Sequence, residues 1–125
     1  MTSPEHDPRR IEVLALLGDP QPMQALLAAL RLEGVHIDTC CDLQGARSTF
    51  FQNGGHSGLV IGPDVQPGIA NKVAQSLGAI DPDLAMATFG PPLNDRSVLR
   101  TKKLSGFHPS SRAGQGALLR FLRSL

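Results

Sequence analysis

Residues 11–20 read IEVLALLGDP, and this stretch decides the fold class of the chain. An apolar run interrupted only by Glu12 fills the first seven positions, and Gly18, Asp19 and Pro20 then form a turn signal. A strand with one face in water alternates apolar and polar residues, whereas this run shows no such alternation. The stretch therefore predicts a strand buried on both faces, as in a parallel sheet covered by helices on both sides.

Helix and strand patterns alternate from this strand to the end of the chain. Met23, Leu26, Leu27 and Leu30 form one apolar helical stripe, and Gly34 ends that helix. The predicted strands cover residues 11–17, 35–40, 59–61, 84–89 and 104–107. The later predicted helices cover residues 43–52 (with Asp42 as the N-cap), 69–80, 94–100 and about 111–125. Five strand–helix units predict an α/β fold, with a five-stranded parallel sheet, helices on both faces and flavodoxin-like (βα)5 order.

The composition favours one globular domain in the cytoplasm. The chain has 125 residues, of which 41% are hydrophobic, and it has five Phe but no Trp or Tyr. We expect residues 1–10 to form a disordered polar tail and residues 11–125 to form a single domain. A formal net charge of +1 and few aromatic side chains argue against a nucleic-acid binder. Cys40 and Cys41 are adjacent, which does not suit a secreted disulfide framework, and no apolar run is long enough for a membrane span.

Short landmarks at the predicted strand ends occur in the order found in a known family. They are Asp19-Pro20 after the first strand, Pro67-Gly68 after the third, Thr88 at the end of the fourth and His108-Pro109 after the fifth. In this order they make residues 11–125 similar to a response-regulator receiver (CheY-like) domain of two-component signal transduction. The resemblance implies the same (βα)5 fold, with a functional pocket at the carboxyl ends of the strands.

The resemblance places a phosphorylation pocket at eight positions, several of which depart from the family pattern. They are Leu17, Gly18, Asp19, Gly62, Pro63, Asp64, Thr88 and His108. Leu17 and Gly18 stand where the family has metal-binding acids, and the phospho-acceptor position falls on Pro63 or Gly62. His108 stands in place of a lysine. Because phospho-transfer needs an acceptor carboxylate, a carboxylate-held metal and a fixed cation, we expect a degenerate pseudo-receiver that binds no metal or cofactor and is not an enzyme.

Several polar residues of this pocket also have a simpler structural interpretation. Asp19 could hold a metal together with Asp64, but an Asp before a proline more often starts a turn. Thr88 could be the family's conformational switch, or it could cap a turn. His108 could respond to pH, or it could be an exposed loop residue. The spacing of these residues leaves the alternatives open.

Positive charge is concentrated in the last part of the chain. Residues 95–125 carry seven Lys or Arg against one Asp, whereas residues 1–94 carry five against ten acidic residues. In the receiver family the fourth helix, fifth strand and fifth helix form a common docking and dimerisation face. The predicted partner-binding face here comprises Arg96, Arg100, Lys102, Lys103, Phe107, Arg112, Leu119 and Arg120. In it Leu119 and Arg120 are expected to project away from a core-facing stripe, which comprises Leu118, Phe121, Leu122 and Leu125.

Two functional hypotheses follow from these patterns. The first is a pseudo-receiver that binds a signalling protein with an acidic surface, or a second copy of itself as a homodimer, without contacting membrane or nucleic acid. The second is a flavodoxin-like domain that binds a small ligand or nucleotide at the strand ends. Ligand binding predicts an open, half-polar pocket near Gly18, Gly62 and Thr88, whereas a pseudo-receiver predicts a region closed by side chains such as Leu17.

Overall fold

The computed structural model describes residues 11–90, 92–93, 101–104 and 106–125. The predicted tail, residues 1–10, and the predicted helix at residues 94–100 lie outside the described residues. The strands are β1 (Glu12–Leu16), β2 (His36–Cys40), β3 (Gly58–Ile61), β4 (Ala85–Thr88) and β5 (Thr101–Lys103). The α-helices are α1 (Gln24–Leu32), α2 (Leu43–Asn53), α3 (Pro67–Ile80) and α4 (Arg112–Arg123), and a 3-10 turn (Gln21–Met23) precedes α1. In the described part of the chain, none of the helices is long and apolar enough to cross a membrane.

The five strands form one parallel sheet in the order β2-β1-β3-β4-β5. At its centre Leu14 pairs with Asp38 of β2 on one side and with Leu59 of β3 on the other. This order has β1 in the interior and a crossover from one half of the sheet to the other, which is the flavodoxin-like topology. The predicted fold class is therefore confirmed.

Both faces of β1 are buried, each in its own apolar core. Val13 and Ala15 pack into a core that includes side chains from α1 and α4, whereas Leu14 and Leu16 pack into a core with α2 and α3. Successive residues of a strand point to opposite faces, so a continuous apolar run supplies both cores at once. Residues 11–17 therefore show no alternation of apolar and polar residues because both faces of the strand are buried, as the sequence predicts.

Local capping interactions set the helix ends close to the predicted positions. The Oδ1 atom of Asp42 accepts a hydrogen bond of 2.7 Å from the backbone N–H of Gly45, which confirms Asp42 as the N-cap of α2. The Oγ atom of Ser111 accepts in the same way from Gly114 and starts α4. At the other end of α2, Gly54 adopts a φ of 77°, a left-handed conformation that favours glycine.

The predicted fifth strand, residues 104–107, is wrong. The strand β5 is Thr101–Lys103, and Leu104 adds only a buried side chain and a 2.7 Å hydrogen bond from its N–H to the Thr88 carbonyl. The chain then turns, since the N–H of Phe107 donates to the carbonyl of Leu104. An edge strand keeps exposed polar and charged side chains, so a search for an apolar run misses it.

Candidate functional site

The loops that follow β1 and β3 meet through their backbones. A Cβ atom on Gly18 would lie 2.6 Å from the carbonyl oxygen of Asp64, a distance that real side chains do not tolerate. Gly18 and Asp64, two residues of the predicted pocket, therefore lie next to each other. The two residues contact each other through closely packed backbone atoms, and Asp64 itself is exposed.

Asp19 forms the turn that leads into α1. Its Oδ1 atom accepts a hydrogen bond of 3.0 Å from the backbone N–H of Gln21, and the residue is exposed. This is the geometry of an Asx turn before a helix. Asp19 and Asp64 belong to no group of three or more His, Cys, Asp or Glu side chains in the described part of the chain that could hold a metal ion. The hydrogen bond to Gln21 thus shows Asp19 forming a turn, which is one of the two roles that the sequence left open.

Apolar side chains pack beside Gly62, which follows the end of β3. A Cβ atom on Gly62 would lie 3.4 Å from Cδ2 of Leu17 and 3.6 Å from Cγ of Met23. Leu17 is only 5% exposed, and Met23 is fully buried. From the side of β4, a Cβ atom on Gly90 would lie 3.0 Å from the Gly62 carbonyl oxygen. We call this region, defined by Leu17, Gly18, Gly62 and Gly90, the closed strand end.

Thr88 is buried at the end of β4 and has hydrogen-bonding partners. Its Oγ1 atom accepts a hydrogen bond of 3.1 Å from the N–H of Gly90, and its carbonyl accepts from Leu104. In the sheet register, Thr88 pairs with Lys103. The hydroxyl therefore helps to form the turn after β4, as one of the sequence interpretations proposed.

His108 lies after β5, in the turn that enters α4. Its Nδ1 atom lies 2.6 Å from Oγ of Ser110, and its carbonyl accepts a hydrogen bond of 2.7 Å from Oγ of Ser111. The residue is exposed. Since the strand ends at Lys103, the basic residue in register with Thr88 is Lys103, and placing His108 at the end of the fifth strand was wrong. The misassigned strand caused this error.

An open groove lies between β5 and α4, on the described part of the predicted partner-binding face. It has a volume of about 410 Å³ and is lined by Lys102, Phe107, Ala117, Arg120, Phe121 and Ser124. We call it the β5–α4 groove. Phe107 is 41% exposed, and Lys102 and Arg120 are exposed at its border. The groove therefore combines accessible aromatic surface with two positive charges.

Other residues of the predicted face differ in their placement. Lys103 and Arg112 are exposed, whereas Arg96 and Arg100 lie outside the described residues. Leu119 is half-buried against the core of α1 and α4, so the prediction that it projects away from the core is wrong. A helix on a sheet buries a stripe wider than one row of side chains, which brings positions beside the central row into contact with the core.

Two of the four residues in the predicted core-facing stripe of α4, Phe121 and Leu125, are not fully buried. Leu118 and Leu122 are buried as expected, and Phe121 is half-buried and lines the groove. Leu125 is 42% exposed and lies two residues beyond the end of the helix. The outer part of the predicted stripe thus contributes to the surface.

A cluster of two histidines and an aspartate at β2, in which His56 is buried and the other two residues are half-buried, has no counterpart in the sequence predictions. Nε2 of His56 lies 2.8 Å from Oδ2 of Asp38, and Nε2 of His36 lies 3.3 Å from the same oxygen. The ring of His56 lies 5.7 Å from the ring of Phe50, and its Nδ1 atom is buried without a hydrogen-bond partner. The cluster joins β2 to the loop before β3. Nothing in the local pattern around His56 indicates that Asp38 will be its partner.

The two cysteines at the end of β2 are free thiols in different surroundings. Cys40 is half-buried, whereas Cys41 is exposed. Burial, together with smaller contributions from the neighbouring Cys41 and Asp42, raises the pKa of the Cys40 thiol to about 12. Cys40 therefore stays protonated at neutral pH, as a structural thiol does.

Comparison with known proteins identifies the fold through solved structures alone. No protein-family model matches the sequence, and no curated protein matches it. A chain in the crystal structure of histidine kinase ThkA in complex with response regulator protein TrrA matches with a TM-score of 0.64 and 19% identity, over 90% of this chain and 97% of that chain. The chemotaxis response regulator CheY4 of Vibrio cholerae matches with a TM-score of 0.58 and 18% identity, over 90% and 98%. The chain therefore has a receiver-like, CheY-like fold.

Proposed function

We propose that this protein is a cytoplasmic, receiver-like signalling module that is not phosphorylated, has no enzymatic activity and acts by binding a protein partner through the β5–α4 groove. The observation that carries this proposal is a contrast within the domain. Leu17 and Met23 pack beside Gly62 at the strand end where a receiver would be phosphorylated, while the β5–α4 groove is open and basic.

The closed strand end supports the first half of this proposal. Phosphoryl transfer needs a carboxylate nucleophile and a metal ion held by oxygen ligands. An acidic side chain cannot replace Gly18 without moving the Asp64 backbone, because even its Cβ atom would overlap the carbonyl oxygen. The same packing disfavours the alternative function, a small ligand or nucleotide at the strand ends, since Leu17 occupies the space near Gly62.

The chemistry of the β5–α4 groove supports the second half. Aromatic residues and arginine are enriched at the energetic centres of protein interfaces, and Phe107, Phe121 and Arg120 lie together here. Lys102 adds a second positive charge at the border. The partner surface that fits is acidic with an apolar projection, and its association should weaken with added salt. The structural neighbour in complex with a histidine kinase is consistent with a protein partner for this fold.

Charge reversal in the groove tests the proposal. The partner is first identified by crosslinking and capture from the native host with the full chain, and its affinity is then measured by calorimetry. Lys102→Glu together with Arg120→Glu should weaken binding by at least about tenfold. The matched control reverses Arg47 and Lys72, two exposed cations on α2 and α3, and should bind like the unchanged protein. If both double variants bind equally well, the groove is not the docking surface.

A further inference from the structure

Exposed apolar side chains gather at the end of the domain where the strands begin. Four of the five large, exposed apolar residues in the described part of the chain lie in or just after the last turn of a helix: Leu32, Phe51, Ile80 and Leu125. Each helix of a parallel α/β fold runs opposite to the strands, so the helix ends meet at the amino ends of the strands. Leu125 demonstrates this, because its Cδ1 atom lies 3.4 Å from where a Cβ of Gly58, the first residue of β3, would be.

On one side of the sheet, this end carries an apolar projection with positive charge. Leu32, the last residue of α1, is 91% exposed. Arg31 precedes it and is exposed, and Arg123 of α4 lies 3.9 Å from Glu33. Because Glu33 balances the charge of Arg123, the positive charge of Arg31 is left unbalanced beside Leu32.

On the other side of the sheet, the same end carries an apolar groove with negative charge. A groove of about 390 Å³ lies between the ends of α2 and α3 and is lined by Phe50, Phe51, Gly54, Gly55, Ile80 and Asp81. We call it the end groove. Asp83, which is exposed, follows Asp81 in the same turn. The end groove is therefore complementary in both polarity and charge to the Leu32 projection.

We propose that two copies of this chain associate end to end, with Leu32 of each copy seated in the end groove of the other. In this arrangement Arg31 of one copy faces Asp81 and Asp83 of the other. The projection and the end groove lie at the same end of the molecule, so a two-fold axis forms both contacts at once and the assembly closes at two copies. The dimer goes beyond the proposed partner binding, because it uses none of the residues that line the β5–α4 groove.

Sedimentation equilibrium of the full chain, up to about 1 mM protein, tests the dimer. The unchanged protein should show a reversible monomer–dimer equilibrium. Leu32→Asp, Arg31→Asp and Asp83→Arg should each weaken self-association by at least about tenfold, and circular dichroism should show that all three remain folded, because these side chains are exposed. Phe107→Asp, a change in the β5–α4 groove, should leave the dimer unchanged.

Mixing two variants gives the sharpest arm of this test. Arg31→Asp and Asp83→Arg each place like charges across the contact in their own homodimers. In the mixed dimer both contacts again join opposite charges, so an equimolar mixture should recover dimer that neither variant forms alone. A monomeric wild type, a dimer that depends on Phe107, or a mixture that stays monomeric would overturn the proposal.

Discussion

The closed strand end and the β5–α4 groove belong to one sheet, yet they are packed in opposite ways. At the strand end, Leu17 and three glycines bring side chains and backbone into close contact. In the groove, Phe107 and Phe121 are left partly accessible beside cations. The difference teaches that one receiver-like sheet can combine a tightly packed strand end with an open surface beside its last helix.

Truncating one side chain from each region should give the largest contrast in stability. Leu17→Ala removes a buried side chain above Gly62 and should lower the free energy of unfolding by about 2–5 kcal/mol, because it leaves a cavity. Phe107→Ala removes a half-exposed side chain and should cost about 1 kcal/mol or less. Urea denaturation of both variants measures the two values. Equal costs would show that the strand end is not closed by packing.

Placing an acid at Gly18, where the resemblance to receivers expects a metal ligand, should give the next largest effect. Gly18→Asp places a Cβ atom against the Asp64 carbonyl and should destabilise the domain by about 1–3 kcal/mol through overpacking. The matched control is Gly68→Asp in the first turn of α3, where a Cβ atom would meet nothing within 4 Å. A negative charge near a helix N-terminus is also favourable, so the control should be neutral or slightly stabilising. A Gly18→Asp protein as stable as its control would contradict the close contact between these loops.

The two cysteines provide a smaller test of burial at the strand ends. At pH 8 the exposed Cys41 should react readily with a thiol reagent, whereas Cys40, with a pKa raised to about 12, should react only slowly in the folded protein. Cys41→Ser should therefore remove the fast phase, and Cys40→Ser should remove the slow one. Reaction of both thiols at one rate would mean that the end of β2 is more open than its packing indicates.

The sequence was sufficient for the fold because its signals were local. Apolar runs and helical stripes placed most element ends within two residues of those observed, and the strand order followed from alternating units. The exception was β5, where Thr101–Lys103 is polar because an edge strand is half in water. Placing that strand too late also led to His108 being assigned a role at a strand end.

The candidate site could be predicted only in part because it depends on contacts between distant residues. The pseudo-receiver hypothesis expected side chains such as Leu17 to close the strand end, and Cδ2 of Leu17 lies 3.4 Å from where a Cβ of Gly62 would be. The backbone contact of Gly18 with Asp64 and the pairing of Asp38 with His56 join segments far apart in sequence, and no local pattern encodes them. The half-burial of Leu119 likewise depends on how α4 lies on the sheet, which periodicity alone does not specify.

The most direct test of the central claim is the intact mass of the protein after incubation with acetyl phosphate and Mg²⁺. The proposed function predicts no mass increase, because the resemblance to receivers places Pro63 or Gly62 at the acceptor position, and Leu17 and Gly18 where metal-binding acids would stand. Asp64→Asn serves as the control, since Asp64 is the carboxylate nearest in sequence to the acceptor position. A gain of one phosphate that disappears in Asp64→Asn would contradict the account and show that the domain is a working receiver.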